Sequence, residues 1–501
     1  MLPSCQLEIS SQEACLGDNA TVVCQPDLLP VPRNARTWSA LHLGGYWVAE
    51  AFGISQYQVA SSAVAAGLSP GTAIGAVFLG HTLVSLACAC NGWIGATYGI
   101  NFPVIARASF GIHGNMIAVM CRAITAIVFF GTQTFQGGQC IQVMISAIDP
   151  SFKSFKNRLP PSVHVTSSEL LCFFIFYIIQ LPLLFIHISK LRHLFMLKVM
   201  LMAFGWAVGG AHGFGPIFTQ KTDVSGSPVI IVFFSAMTAA IAPKATLALN
   251  ICDFTRFSKS PRAAIWTNIF SLSVLVTLCA ILGVVVTSAT QVIYGVSTWN
   301  PLQVCELWSS RVAQFFAAFC WALAVIATNI SANSTAVGND LAIIFPRYIN
   351  IRRGQYVCAL LGLATCPWII QNSAASFTGG YSIFLGPVCG IMLADYYVHQ
   401  QRRLDVVALY GKNSSIYWYT HGFNIRAIGA FVLALIPNLP GFVGKVNDKI
   451  GVPVASIWVF SLVWPVGLIV AASAYLLFNV VWPVQRRVTP PSIASEEDPE
   501  K

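Results

Sequence analysis

About twelve stretches of mostly apolar residues divide this 501-residue chain. They lie near 39–66, 71–97, 114–146, 168–188, 194–213, 228–252, 262–290, 311–340, 355–371, 374–398, 423–442 and 454–482. About twenty such residues are what a helix needs to cross a bilayer's hydrocarbon core. In lipid every backbone N–H and C=O must find a partner within the protein, which leaves only helices and closed barrels. These runs are too long and too continuously apolar for barrel strands, which alternate over about ten residues. The expected fold is an all-α integral membrane bundle of about twelve helices. A transmembrane domain would span 39–482, with polar tails at 1–38 and 483–501. Composition agrees: 9% of residues are charged and 56% are hydrophobic, against about 25% and 45–50% in soluble domains. So little charge cannot cover a soluble monomer. This argues against cytosolic enzymes, disordered proteins and nucleic-acid binders, and makes the lipid bilayer the expected partner.

The net charge of +10 then reports orientation. Lys and Arg concentrate on loops that share a side with the N-terminus, among them Arg33, Arg36, Arg107, Lys190, Arg352, Arg353, Arg402 and Arg403. The positive-inside rule places both termini in the cytoplasm. The first 38 residues lack the short apolar core of a cleavable signal peptide, so the first span is expected to direct insertion. Fifteen cysteines sit mostly within apolar runs and show neither CxxC nor Cys/His ligand spacing. They read as small buried hydrophobes rather than as disulfides or metal ligands.

Ionisable residues inside a span are costly and mark pathways. Glu50 lies in the first span, three residues before Gly53 and the polar run Ser55–Gln58, and Lys244 lies in the sixth beside Pro243. Interrupted segments at corresponding positions point to an inverted-repeat transporter of five plus five helices, the LeuT-type fold, with helices one and six broken. In the third span Phe129 and Gln133 are i and i+4 and share a helix face. A ring beside a carboxamide suits a planar heterocycle, stacked on one face and hydrogen-bonded at its edge. The eighth span carries the polar run Thr328–Thr335, expected to line a cavity. No Ser–His–Asp spacing, HExxH, Walker loop or GxGxxG occurs, so no enzyme and no cofactor is expected. His42, His81 and His212 read as hydrogen-bonded helix residues.

Nine short motifs, in order, resemble nucleobase–cation symporter family 1, and specifically its fungal Fur-type branch of uracil, uridine and allantoin permeases. They include DLLPVP at 27–32, FPVIARASFG at 102–111, GGQC at 137–140, ATLALN at 245–250 with DFTR at 253–256, TNISAN at 328–333, FPRYINIRRG at 345–354, DYY at 395–397 and NIRA at 424–427. The resemblance implies a substrate site between helices one and six and helices three, eight and ten. It matches Gln133 and Asn333 to substrate-binding amides. Phe129 stands where members usually carry Trp, and Lys244 resembles the Fur branch. Ser55, Ser331 and Tyr381 complete the implied substrate contacts, and Phe377 the helix-ten gate. Of two adjacent hydroxyls that bind sodium in bacterial members, Thr328 matches one and Ala327 replaces the other. Proton coupling through Glu50 is therefore expected rather than sodium. The implied protein is a plasma-membrane proton symporter of a small heterocyclic substrate resembling uracil, allantoin or uridine. Alternatives are a thiamine- or pyridoxine-type carrier, whose cationic ligands Lys244 disfavours, or a non-transporting nutrient sensor.

Overall fold

The computed structural model describes residues 26–185, 217, 220–372, 380–411, 416–447 and 449–484. The expected fifth span at 194–213, His212, Phe377 and most of both tails lie outside the described residues. Among those described, eight helices are long and apolar enough to cross a membrane. They coincide with the second, third, fourth, sixth, seventh, eighth, eleventh and twelfth stretches read from the sequence. Shorter helices occupy the first, ninth and tenth.

Local chemistry sets the ends of these helices. α1 (Pro70–Tyr98), the second span, starts with Ser69 accepting from the Thr72 N–H and Pro70 in the first turn, and stops at Gly99 with φ +74°. That left-handed position suits a residue without Cβ. The seventh span, α2 (Pro261–Tyr294), repeats the pattern with Ser260, Pro261 and Gly295 at φ +70°. The fourth begins with reciprocal bonds between Thr166 and Glu169, a capping box. Outward, α2 exposes Trp266, Phe270, Val274 and Leu278 at steps of four. This continuous apolar stripe faces lipid.

The first span is broken as expected. α3 (Ala40–Ala51) ends at Phe52, Gly53 is extended, and α4 (Ile54–Tyr57) resumes. Two contacts with α2 hold the pieces. Trp47 Nε1 donates to Asn268 Oδ1 at 2.7 Å, and the Tyr57 carbonyl rests against Gly283, where any Cβ would collide with it.

The sixth span departs from expectation. α5 (Val229–Asn250) runs as one helix through Pro243. Proline removes the N–H that would reach the Ala239 carbonyl but does not unwind the turns around it. The helix lies close against α1, where a Cβ on Gly80 would sit 2.7 Å from the Met237 carbonyl. The eighth span, α6 (Arg311–Ile344), carries a π-helical stretch at Asn329–Thr335, the polar run singled out in the sequence. Such wide turns gather at functional sites. The twelfth stretch divides at Leu462 into Val454–Ser461 and Val463–Val481.

Gly283→Val should force the second half of the first span away from α2. Overpacking of this kind costs about 1–3 kcal/mol. The expected result is a lower apparent melting temperature in detergent and reduced uptake, while Gly71→Val, at an exposed helical position with open space around it, should leave uptake intact.

Candidate functional site

Where the first span breaks, α3 exposes its last carbonyls, which need partners. They come from the sixth and eighth spans. Lys244 Nζ donates to the Glu50 carbonyl oxygen at 2.9 Å, and Thr328 Oγ1 reaches the Ala49 carbonyl at 3.5 Å. The Glu50 side chain turns to the same cluster. Its Oε2 lies 3.3 Å from Lys244 Nζ, and its Oε1 accepts from Ser331 Oγ at 2.9 Å. All four side chains are buried. A buried ion pair is sustained only when hydrogen bonds satisfy its remaining atoms, and here the Ser331 hydroxyl on the carboxylate and the Glu50 carbonyl on the ammonium do so. The ammonium also opposes the negative end of the α3 dipole.

This cluster borders a cavity of about 790 Å³, within the range that holds small organic ligands. Glu50 and Ser55 line it from the first span, Phe129 and Gln133 from the third, Pro243 and Lys244 from the sixth, and Thr328 and Asn333 from the eighth. The third span, α7 (Asn115–Ile148), projects Phe129 and Gln133 from one face. Asn333 Nδ2 donates to Gln133 Oε1 at 3.3 Å, joining the two spans across the cavity wall. Ser55 Oγ and Gln136 Nε2 are 3.3 Å apart.

Two expected contacts fall elsewhere. Ser331 does not line the cavity: its hydroxyl is committed to Glu50 and to the carbonyls of Ala327 and Thr328. Tyr381 packs edge-on behind Phe129, with ring centroids 5.5 Å apart at 80°, and so orients the ring rather than lining the cavity. Lys244 lines the cavity as expected, with its ammonium engaged by Glu50.

One buried pair went unread in the sequence. Arg122 of α7 and Asp340 of α6 form an ion pair, both fully buried, and Arg122 also donates to the Ala336 carbonyl at 2.5 Å. The guanidinium lies 5.1 Å from the Phe102 ring centroid. Arg122 is eleven residues from Gln133, about 16 Å along the helix, so this pair closes the bundle beyond the cavity. The signal was present: a charged residue inside each of two apolar runs.

A cavity bearing hydrogen-bonding side chains at a broken helix inside a lipid-facing bundle defines a membrane transporter. The chain matches, over residues 30–467, the family described as permease for cytosine/purines, uracil, thiamine, allantoin. It is 34% identical to the allantoin permease of Saccharomyces cerevisiae and 32% identical to the uracil permease of the same yeast, in each case over 91% of this chain and 76% of the relative. Among solved structures, its fold resembles Mhp1, a nucleobase-cation-symport-1 family transporter, in a closed conformation with bromovinylhydantoin bound. The TM-score is 0.74 at 22% identity, covering 93% of this chain and 98% of that one. The chain belongs to this family, nucleobase–cation symporter family 1, and has its LeuT-type fold. It is a multi-pass membrane permease and not an enzyme.

Removing one partner of the Arg122–Asp340 pair strands a buried charge, at a cost of about 3–5 kcal/mol. Arg122→Leu and Asp340→Leu should each lower the apparent melting temperature sharply, and the double leucine variant should recover a large part of the loss. A double variant as unstable as the sum of the singles would contradict the pairing.

Proposed function

We propose that this permease imports a uracil- or allantoin-like heterocycle across the plasma membrane by proton symport, with both termini cytoplasmic. The observation that carries the substrate class is the cavity wall, where the Phe129 ring and the amides of Gln133 and Asn333 present a flat apolar face beside hydrogen-bonding groups. Uracil and allantoin share a planar ring with adjacent C=O and N–H groups, and relatives named for both align along most of the chain. A thiamine-type cation fits less well beside Lys244. Labelled uracil and allantoin uptake in cells expressing the chain, with and without a pH gradient, tests the proposal and separates it from a sensor. Gln133→Ala and Asn333→Ala should each weaken substrate affinity roughly 5- to 150-fold, the cost of one buried amide left unpaired. Phe129→Ala should lose about 1–3 kcal/mol of stacking, and Phe129→Trp should retain it. Parent-like affinity in both amide variants would remove these residues from the site.

Coupling follows from the ion pair. The Lys244 ammonium occupies a carbonyl of the broken helix, so a charged group of the chain itself stands at the helix end where a bound cation would otherwise be needed. Protonating Glu50 keeps its bond with Ser331 but cancels its attraction for Lys244, which frees the ammonium to meet a substrate carbonyl. Proton and substrate would then load together, and uptake should fall as external pH rises. Glu50→Gln mimics the protonated state. It should bind substrate but no longer accumulate it against a gradient, leaving exchange or downhill flux. Proton-driven accumulation equal to the parent in that variant would remove Glu50 as the carrier.

A further inference from the structure

Behind the cavity amides runs a chain of polar side chains that contact with substrate does not explain. Thr134, Gln180 and Asn329 are each no more than 1% exposed. Thr134 Oγ1 donates to the Phe130 carbonyl, one turn back, at 2.7 Å. Its only hydrogen is thereby used, so the oxygen can only accept. Two amide nitrogens donate to it, Gln180 Nε2 at 2.8 Å and Asn329 Nδ2 at 3.0 Å. Asn329 Nδ2 also meets the Phe130 carbonyl at 3.2 Å and Gln180 Oε1 at 3.1 Å. Every group around that nitrogen is an acceptor, so Asn329 must turn Oδ1 the other way, towards Asn333.

The polarity then propagates outward. Asn333 Nδ2 donates to Asn329 Oδ1 at 2.9 Å and to Gln133 Oε1 at 3.3 Å. What remains at the cavity is Gln133 Nε2, a donor, and Asn333 Oδ1, an acceptor. Neither atom has a protein hydrogen-bond partner among the described residues. Turning the Gln133 amide over would set nitrogen against nitrogen, and turning Asn333 would set oxygen against oxygen. Each error leaves a polar group without its bond.

We infer that Thr134, Asn329 and Gln180 are positioning residues that fix the hydrogen-bond polarity of the site, so that it takes a ring edge with C=O beside N–H and rejects the same ring with donor and acceptor exchanged. The inference rests on the proposed function. Uracil and cytosine provide the test at the N3–C4 edge, to which the inference commits the site: there cytosine carries an amino donor and a ring-nitrogen acceptor where uracil carries a carbonyl acceptor and an N–H donor, whereas the N1–H/C2=O edge is common to both. Unlabelled uracil and cytosine are compared as competitors of labelled uracil or allantoin uptake, at matched surface amounts of tagged protein. The parent should bind cytosine at least about 10-fold more weakly than uracil, within the range for one mispaired polar group. Asn329→Ala releases Asn333, and the ratio should fall to within about 3-fold. Thr134→Val removes the hydroxyl at constant shape and should also compress the ratio, whereas Thr134→Ser keeps the hydroxyl and should keep the parent ratio. A merely structural role would lower maximal uptake and leave the ratio unchanged. If Asn329→Ala does not reach the surface, the Thr134 pair decides. A parent ratio retained in Asn329→Ala or Thr134→Val, or equal compression in Thr134→Ser and Thr134→Val, would overturn the inference. So would a parent that takes both pyrimidines equally. A parent that neither takes up the labelled compounds nor binds either pyrimidine would instead overturn the proposed function, and the inference with it.

Discussion

A helix that stops in mid-membrane leaves carbonyls that water cannot reach, and the permease depends on how those carbonyls are satisfied. Lys244 answers the Glu50 carbonyl and the Glu50 side chain together, and Ser331 completes the carboxylate. One set of contacts therefore ties three spans: the broken first, the proline-bearing sixth and the π-widened eighth. Without Lys244 the break would hold a buried carboxylate and a bare carbonyl, each costly in a medium of low dielectric. With it, the broken geometry persists, and the cavity has a wall whose charge balance a single proton would change.

The same logic extends into the cavity wall. Backbone carbonyls at a break or beneath a side chain set the direction of the groups above them. The Phe130 carbonyl orients Thr134 and Asn329, much as the Glu50 carbonyl holds Lys244. The amides at the cavity wall take their orientation from one layer behind it, from side chains committed to each other.

Much of this was legible in the sequence because membrane physics makes it so. Apolar runs of spanning length set the helices, and Glu50 and Lys244 stood out as charges where lipid should be. Their pairing did not, because they lie 194 residues apart and no local period links them. Ser331 was read as facing substrate for the same reason: a hydroxyl in a polar run gives no sign of which helix face it occupies, and the π-helical turn rotates that face away from an ideal α-helical wheel. The sixth span was expected to break because Pro243 removes a hydrogen bond, but the neighbouring turns, packed against the second span, carry the helix through. Arg122 and Asp340 are charges in apolar runs, but Arg122 lies near the start of its run and Asp340 at the end of its own, where long or charged side chains also reach the interface. Thr134 and Gln180 carried no signal, since small polar residues commonly join helices in membranes, and Asn329 carried only that of its polar run, which points to the cavity rather than to the layer behind it.

The two pseudo-symmetric spans also differ as mechanical parts. Phe52 and Gly53 interrupt the first span completely, so no run of helical hydrogen bonds links its halves, and each is held separately against the seventh span. The sixth is a continuous rod notched on one side at Ala239–Pro243: it can flex there, and any bend at one end is still felt at the other. Lys244 sits one residue past the notch. Movement of the rod would therefore carry the ammonium with it and pull on the end of α3 through the Glu50 contacts, against the anchor that the Trp47–Asn268 bond gives α3 on the seventh span.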